Sequence, residues 1–513
     1  MSAATTAAMA ATAVAASDEH VHPSSRISSA IPDSDASVET SASTSVTAAV
    51  PNGSVTEHHQ RLSSRGSANN SRRGSPFRAR SSKLDLERLE RDKDEFRGFF
   101  VLFWMGMAFY TILTLLNNWQ TTGVFFGTGT FRHMSSNFLH LVRDDLMIVG
   151  SLFSGLFLAY LQKWHFVRHR FVRLVLQHSM QTAFLFGWLG WIWQRNPPWV
   201  QAATLTLHVI AMLFKIHSYN QYNGDLNERY WVDRRLRKEL KILERADDGS
   251  SATVAAEMQA IKEQMAELES ELKPHGNVRY PENIGILNFV DYLLVPTLVY
   301  ELEYPRTPRI RWMYVGEKVL ATFGSIMLMY ITVEHYIVPV LLEIKRLTFV
   351  GCLLRLILPF MICYLMTFYI IFECVANGFA ELTRFADRSF YDDWWNSCTF
   401  DQFARKWNKP VHEFLLRHVY LESINTYKVS KHRATFLTFL FSSCLHELAM
   451  IMVARRIRMY LFVLQMFQLP LIWIGRLPWS RKHPVAGNAF FWFSMFAGPP
   501  LLAVCYLWEH YWH

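Results

Sequence analysis

The sequence predicts an all-α polytopic membrane protein, a bundle of about nine transmembrane helices with cytosolic loops and amphipathic helices attached. Three observations carry that expectation. Of the 513 residues, 51% are hydrophobic and only 19% are charged, where a soluble globular chain sits nearer a quarter charged. The apolar residues are gathered into long blocks, several close to the roughly 20 residues that a helix needs to cross a bilayer. The charged residues fall mostly between those blocks.

Residues 1–80 are rich in Ala, Ser and Thr and almost free of large apolar side chains. Such a segment cannot bury enough surface to offset its ordering entropy, so it reads as a disordered cytosolic tail. Its opening lacks the basic n-region and Leu-rich h-region of a signal peptide. Ser67 and Ser75 follow Arg65 and the Arg72–Arg73 pair, as candidate kinase sites or as plain solvated serines. Residues 81–97 turn charged and predict a short amphipathic lead-in helix. The transmembrane domain then occupies 98–513, with spans expected at 99–116, 146–161, 174–193, 200–216, 319–338, 349–375, 434–453, 459–474 and 489–508.

Loop charge sets the expected orientation. Arg78, Arg80, Arg88, Arg91 and Lys93 precede the first span, and Lys163, Arg168, Arg170 and Arg173 follow the second. The positive-inside rule puts the N-terminus in the cytosol, and nine spans leave the C-terminus lumenal. Arg455, Arg456 and Arg458 run against that orientation. The net charge of +9 and pI near 9.2 suit basic flanks beside anionic lipid, and no nucleic-acid partner is expected. Six cysteines form no CxxC or zinc-type spacing, so no metal is expected.

The long loop at 220–317 falls on the cytosolic side. Val254, Met258, Ile261, Met265, Leu268 and Leu272 make an a/d stripe within it, and Leu236, Leu240 and Leu243 a shorter one. These predict a helical-hairpin insertion at about 225–274, its stripe facing either the protein itself or a partner helix. From 279 to 312, Pro281, Pro296, Pro305 and Pro308 forbid one continuous helix, and an interfacial segment held by Tyr and Trp is expected.

Two places carry chemistry. Within 434–453 only His446 and Glu447 are ionisable, and an ionisable group inside a span is a functional hypothesis by default. Ser442 and Ser443 share the face of His446 at helical spacing. An apolar surround disfavours the imidazolium, which suits a general base. The text HELAM lacks the second His of a zinc-peptidase motif. The second place is FYDDWWN at 390–396, followed by Arg405, Trp407, Asn408 and His412 in RKWNKPVH. A dense aromatic run is also what an interfacial belt supplies. A belt needs no Asn, however, and Asn396 and Asn408 each follow a Trp. A carboxamide is a good donor to a developing oxyanion, and Arg405 suits a phosphate-bearing cosubstrate. Asp393, Arg384 and Arg388 fit this site or plain structural pairing.

FYDDWWN resembles the FYxDWWN signature shared by sterol O-acyltransferases and type 1 diacylglycerol O-acyltransferases, in the membrane-bound O-acyltransferase superfamily. FECVANGFAELTRFADRSF, WNKPVH and SSCLHELAM follow in the family's order and spacing, and FKIHSY, YPRTPRIRW, QMFQLP and GNAFFW resemble further family segments. The likeness covers roughly residues 95–510 and is nearest to the fungal sterol branch. It implies His446 as the catalytic base and Asn408, beside Trp407, as its working partner. It implies an acyl-CoA site lined by Gln402, Arg405, His412, Tyr420 and Ser442; at 402 the animal sterol enzymes resemble one another in having Asn. The block Phe390, Tyr391, Asp393, Trp394, Trp395, Asn396 is implied to shape the cytosolic acyl-CoA entrance. The implied reaction moves a long-chain acyl group from acyl-CoA to an ergosterol-type sterol, giving steryl esters for lipid-droplet storage. No cofactor is implied, acyl-CoA being a cosubstrate. Residence in the endoplasmic reticulum membrane and a homodimer or homotetramer are implied too. Diacylglycerol acylation is the near alternative. A lipid transporter is a more distant one, and the internal repeat it would favour is absent from the sequence.

Overall fold

In lipid a backbone must satisfy its own hydrogen bonds, so long apolar blocks become helices. The computed structural model describes residues 77–84, 97–125, 136–246, 252–273, 278–478 and 482–512. Among them there is no β-sheet, only two isolated bridges, Arg80 with Asp387 and Arg306 with Phe385.

The helices run in order as α1 (Arg97–Thr122), α2 (Phe138–Ser151), α3 (Phe153–Lys163), α4 (Arg170–Arg195), α5 (Trp199–Ala246), α6 (Ala252–Leu272) and α7 (Ile286–Leu294). Then come α8 (Trp312–Thr332), α9 (Val338–Leu342), α10 (Phe349–Phe368) and α11 (Asn377–Leu382). π-helical turns at Val333–Ile337 and Tyr369–Ala376 join α8 to α9 and α10 to α11. The last group is α12 (Phe400–Trp407), α13 (Lys409–Leu415), α14 (Glu422–Asn425), α15 (Lys431–Ala454), α16 (Tyr460–Met466), α17 (Gln468–Gly475) and α18 (Pro484–Trp512).

Seven helical stretches among the described residues are long and apolar enough to cross a membrane. They coincide, within a few residues at the ends, with the expected first, second, fourth, fifth, sixth, seventh and ninth spans. The other two are of different character. α16–α17 is a shorter apolar unit, Tyr460–Gly475. α4 is long, but Arg173, Gln177 and Gln181 lie buried on one face while Phe171, Val172, Val175 and Phe186 are exposed. It is inside-out relative to a soluble amphipathic helix, with its polar stripe inward and its apolar face toward lipid.

α5 continues without a break from its apolar half into the charged half, and α6 folds back along it. The stripe on α6 faces α5, with Ile261 and Leu272 buried and Arg229–Glu271 (2.9 Å) and Arg237–Glu269 (3.4 Å) closing the edges. Residues 279–312 depart from the interfacial expectation. Tyr280, Tyr292, Tyr300 and Tyr304 are all buried. Their hydroxyls find internal partners, such as Asn227 for Tyr280 (2.9 Å) and the Val299 carbonyl for Tyr304 (2.8 Å). Polar partners at matched positions turned these aromatics inward, which aromatic content alone did not disclose. The large apolar side chains that stay exposed there are Ile286, Leu287 and Leu294 of α7 and Trp312 at the start of α8.

Residues 77–84 correct the reading of the tail and lead-in helix at that point: they form an extended strap against the 380–392 loop. The rest of the expected tail, and the expected helix between 85 and 96, lie outside the described residues.

Candidate active site

The site is built by two elements, α15 and the loop-and-helix segment from 385 to 421. α15 carries Ser442, Ser443, His446 and Glu447, all buried. His446 Nδ1 lies 2.7 Å from the Ser442 carbonyl oxygen and 3.4 Å from its hydroxyl. A carbonyl only accepts, so Nδ1 carries the proton and Nε2 is the basic nitrogen of the neutral ring. The one-turn spacing between 442 and 446 produces this geometry directly.

Glu447, the neighbouring ionisable residue, has a different task. Its carboxylate accepts from the backbone N–H groups of Met459 (2.8 Å) and Phe462 (3.1 Å) and from Tyr506 OH (3.3 Å). It caps α16 and ties α18 to α15, where orphan N–H groups at a helix start need an acceptor.

The 390–396 signature is mostly scaffold. Phe390, Tyr391 and Trp394 are buried, Asp393 and Trp395 half-buried, and Asn396 exposed. Trp394 and Trp407 meet edge to face at 4.6 Å, and Tyr364 stacks on Trp407 at 4.8 Å. Phe368 and Phe403 complete the knot. Asn488 donates to the Trp395 (3.0 Å) and Ser397 (2.8 Å) carbonyls, and Trp492 Nε1 to the Trp395 carbonyl (3.2 Å). Tyr391 OH donates to the buried carboxylate of Glu373. Burial, and the negative charge of Glu373, push the Tyr391 phenol well above its ordinary value. Asp393 pairs with Lys406 at 3.3 Å. Arg388 pairs with Glu381, the structural one of the two roles left open for it.

This scaffold grips Asn408 from both sides. Asp392 N–H donates to the Lys406 carbonyl (2.8 Å), and Lys409 N–H to the Phe390 carbonyl (3.0 Å). Asn408 is the N-cap of α13, its Oδ1 accepting from Val411 N–H at 3.2 Å. With the oxygen committed to the cap, the NH2 is the end that can donate outward.

Around Asn408, Gln402 is exposed, its Oε1 accepting from Cys398 N–H at 2.9 Å. Arg405 is half-buried and pairs with Asp401 one turn back. His412 is half-buried, and burial together with Arg405 and Lys409 pulls its pKa down to about 4. Tyr420 is buried in a cluster with Phe414, Phe214 and Ala434. Val411 from the Asn408 side and Leu445 from the His446 side pack against that same cluster. The two elements bearing the proposed pair thus share one apolar support.

Sequence reasoning missed a second buried polar group. His217 Nδ1 meets Gln181 Oε1 at 3.2 Å, and its ring lies 5.2 Å from that of His418. His418 Nε2 in turn meets Ser218 Oγ at 2.8 Å. Arg455 donates to the Trp193 (2.6 Å) and Ile192 (3.2 Å) carbonyls, which fixes the register of α15 on α4. The signal was present in FKIHSY, which contains His217, and in the Gln-x-x-x-Gln spacing of α4.

A sequence profile of the membrane-bound O-acyltransferase family matches residues 190–508, a range that includes His446, Asn408 and the 390–396 signature. The chain belongs to that family. A probable sterol O-acyltransferase 1 of Schizosaccharomyces pombe is 36% identical over 445 residues, covering 81% of this chain and 82% of the relative. A probable sterol O-acyltransferase 2 of the same organism is 38% identical over 442 residues, covering 82% and 88%. A diacylglycerol O-acyltransferase 1 of Dictyostelium discoideum is 33% identical over 242 residues, only 46% of this chain and 39% of the relative.

Proposed function

We propose that the chain transfers a fatty acyl group from acyl-CoA to the hydroxyl of a sterol. The observation that carries the acceptor class is near-full-length similarity to proteins named as sterol O-acyltransferases, against partial coverage of the diacylglycerol relative. The buried geometry fits the chemistry. His446 Nε2 takes the proton of the sterol hydroxyl as its oxygen attacks the thioester carbonyl. The Asn408 NH2 donates to the oxyanion that forms. The C–S bond then breaks, and the imidazolium returns the proton to the leaving thiolate. No covalent enzyme intermediate and no metal or cofactor takes part.

Gln402, Arg405, His412 and Tyr420 line the cytosolic approach of acyl-CoA, with Arg405 toward its phosphates, and Ser442 orients the base. The protein sits in the endoplasmic reticulum membrane as a homodimer or homotetramer, N-terminus cytosolic and C-terminus lumenal. Protease protection of terminal tags in sealed microsomes tests the orientation.

The acceptor is tested by offering purified enzyme a sterol and a diacylglycerol with labelled acyl-CoA. Steryl ester is expected as the dominant product. Triacylglycerol in its place would assign the chain to the diacylglycerol reaction.

A further inference from the structure

We infer that residues 77–84 are a latch on the signature loop, and that phosphorylation of Ser82 opens it. The inference rests on the function proposed above for its activity readout, and on the structure alone for its protease readout.

The strap is seated by contacts with residues more than 220 positions away, most of them some 300. Arg80 N–H donates to the Ala386 carbonyl (3.0 Å), and Arg388 N–H to the Arg80 carbonyl (2.9 Å). The Arg80 guanidinium forks onto Asp387 at 2.9 and 2.7 Å, and Arg78 N–H reaches the same carboxylate at 3.0 Å. Phe77 packs edge to face on Tyr304 and Phe385. Leu84 N–H donates to Tyr391 OH at 3.2 Å. The strap thus holds the stretch that leads into Phe390 and Asp392, whose main-chain bonds flank Asn408.

Ser82 is the innermost polar group of the strap, 1% exposed. Its hydroxyl donates to the same Glu373 carboxylate that accepts from Tyr391. Glu373 is 0% exposed, with Asn377 donating to it at 3.3 Å and the Lys318 ammonium forming an ion pair 3.8 Å away. There is room and charge balance here for a neutral hydroxyl. A phosphoryl group would bring roughly two negative charges against a buried carboxylate and a phenol, so a phosphorylated strap cannot reseat.

The local sequence is Arg78-Ala79-Arg80-Ser81-Ser82-Lys83, a basic setting that suits a basophilic kinase. The Arg80 side chain is 44% exposed even when latched, and a short surface strap opens locally far more readily than the bundle unfolds. A kinase would capture the opened strap: the γ-phosphoryl of ATP passes to Ser82 Oγ, the bond to ADP breaks, and the hydroxyl proton goes to solvent. The phosphate then keeps the latch open and slackens the hold on Asn408.

The test uses the full chain in detergent–lipid micelles. Ser82→Asp is expected to lower kcat about tenfold and to speed tryptic cleavage at Arg78, Arg80 and Lys83, with Ser82→Ala within about threefold of the parent. Arg80→Glu, which opens the strap from its exposed side without touching Glu373, should reproduce the fall in kcat and the faster cleavage at Arg78 and Lys83, its own site being removed, and the double variant should lose no more kcat than either single. Treatment with ATP and a basophilic kinase should phosphorylate Ser82 and lower kcat, and phosphatase should reverse both. Equal behaviour of Ser82→Asp and Ser82→Ala, additive losses in the double variant, or no phosphate at Ser82 would each overturn the inference.

Discussion

Asn408 does two things that a substitution can separate. Its Oδ1 caps α13 through Val411 N–H, and its NH2 is the proposed oxyanion donor. Asn408→Asp keeps an acceptor at the cap, where a carboxylate also suits the helix N-terminus, but has no NH2. Its melting temperature should therefore stay close to the parent. Losing one oxyanion donor costs about 2.7–4 kcal/mol, so kcat should fall roughly 10²–10³-fold. Asn408→Ser likewise keeps a cap, without the added charge, and should lose activity to a similar degree. Asn408→Ala should lose the activity and about 1 kcal/mol of stability besides. The assay is initial-rate steryl ester synthesis from labelled acyl-CoA beside a thermal-inactivation curve on the same preparation. Asn408→Asp with kcat within about threefold of the parent would refute the donor role.

Three further outcomes are expected. Trp394→Ala should cost about 3–5 kcal/mol, because the ring is buried at the centre of the aromatic knot, and should appear as loss of folded protein by size-exclusion chromatography. Glu447→Ala should shorten the thermal half-life in detergent while leaving the initial kcat of surviving enzyme near normal, because this carboxylate is spent on capping α16 and on Tyr506. His412, with its folded pKa lowered to about 4, is neutral in both folded and unfolded chains above the ordinary value near 6.5. As pH falls from there toward 4 the unfolded chain takes a proton that the folded one refuses, so stability declines across that window. His412→Gln should flatten the decline in a series of inactivation curves.

The membrane architecture was legible because lipid imposes long apolar runs, and α10 and α15 are read directly from theirs. α4 was read as a span from its length, but its inward stripe of Arg173, Gln177 and Gln181 lowers its mean hydropathy. The a/d stripe of 254–272 named its own helix without naming its partner, and α5 proved to supply the covering face. His446 was legible because a lone imidazole in an apolar helix is costly. Asn408 stood out as a carboxamide directly after Trp407 and was paired with His446 by resemblance, whereas its capping bond and the grip of Phe390 and Lys406 are tertiary facts. The strap was hidden for the same reason. Its only large apolar residue is Phe77 until Leu84, and its partners lie more than 220 residues away, most of them some 300, beyond the reach of any periodicity. Tyr280 to Tyr304 misled because aromatic density marks an interface and a hydrogen-bonded interior equally well.

The central claim is that His446 is the base, and the most direct measurement is single-turnover acyl transfer by His446→Ala in preparations matched for folded protein. Loss of about 10²–10⁴-fold in the chemical step, with acyl-CoA binding retained, is the expected result. Ester formation by His446→Ala at a near-parental rate would contradict it.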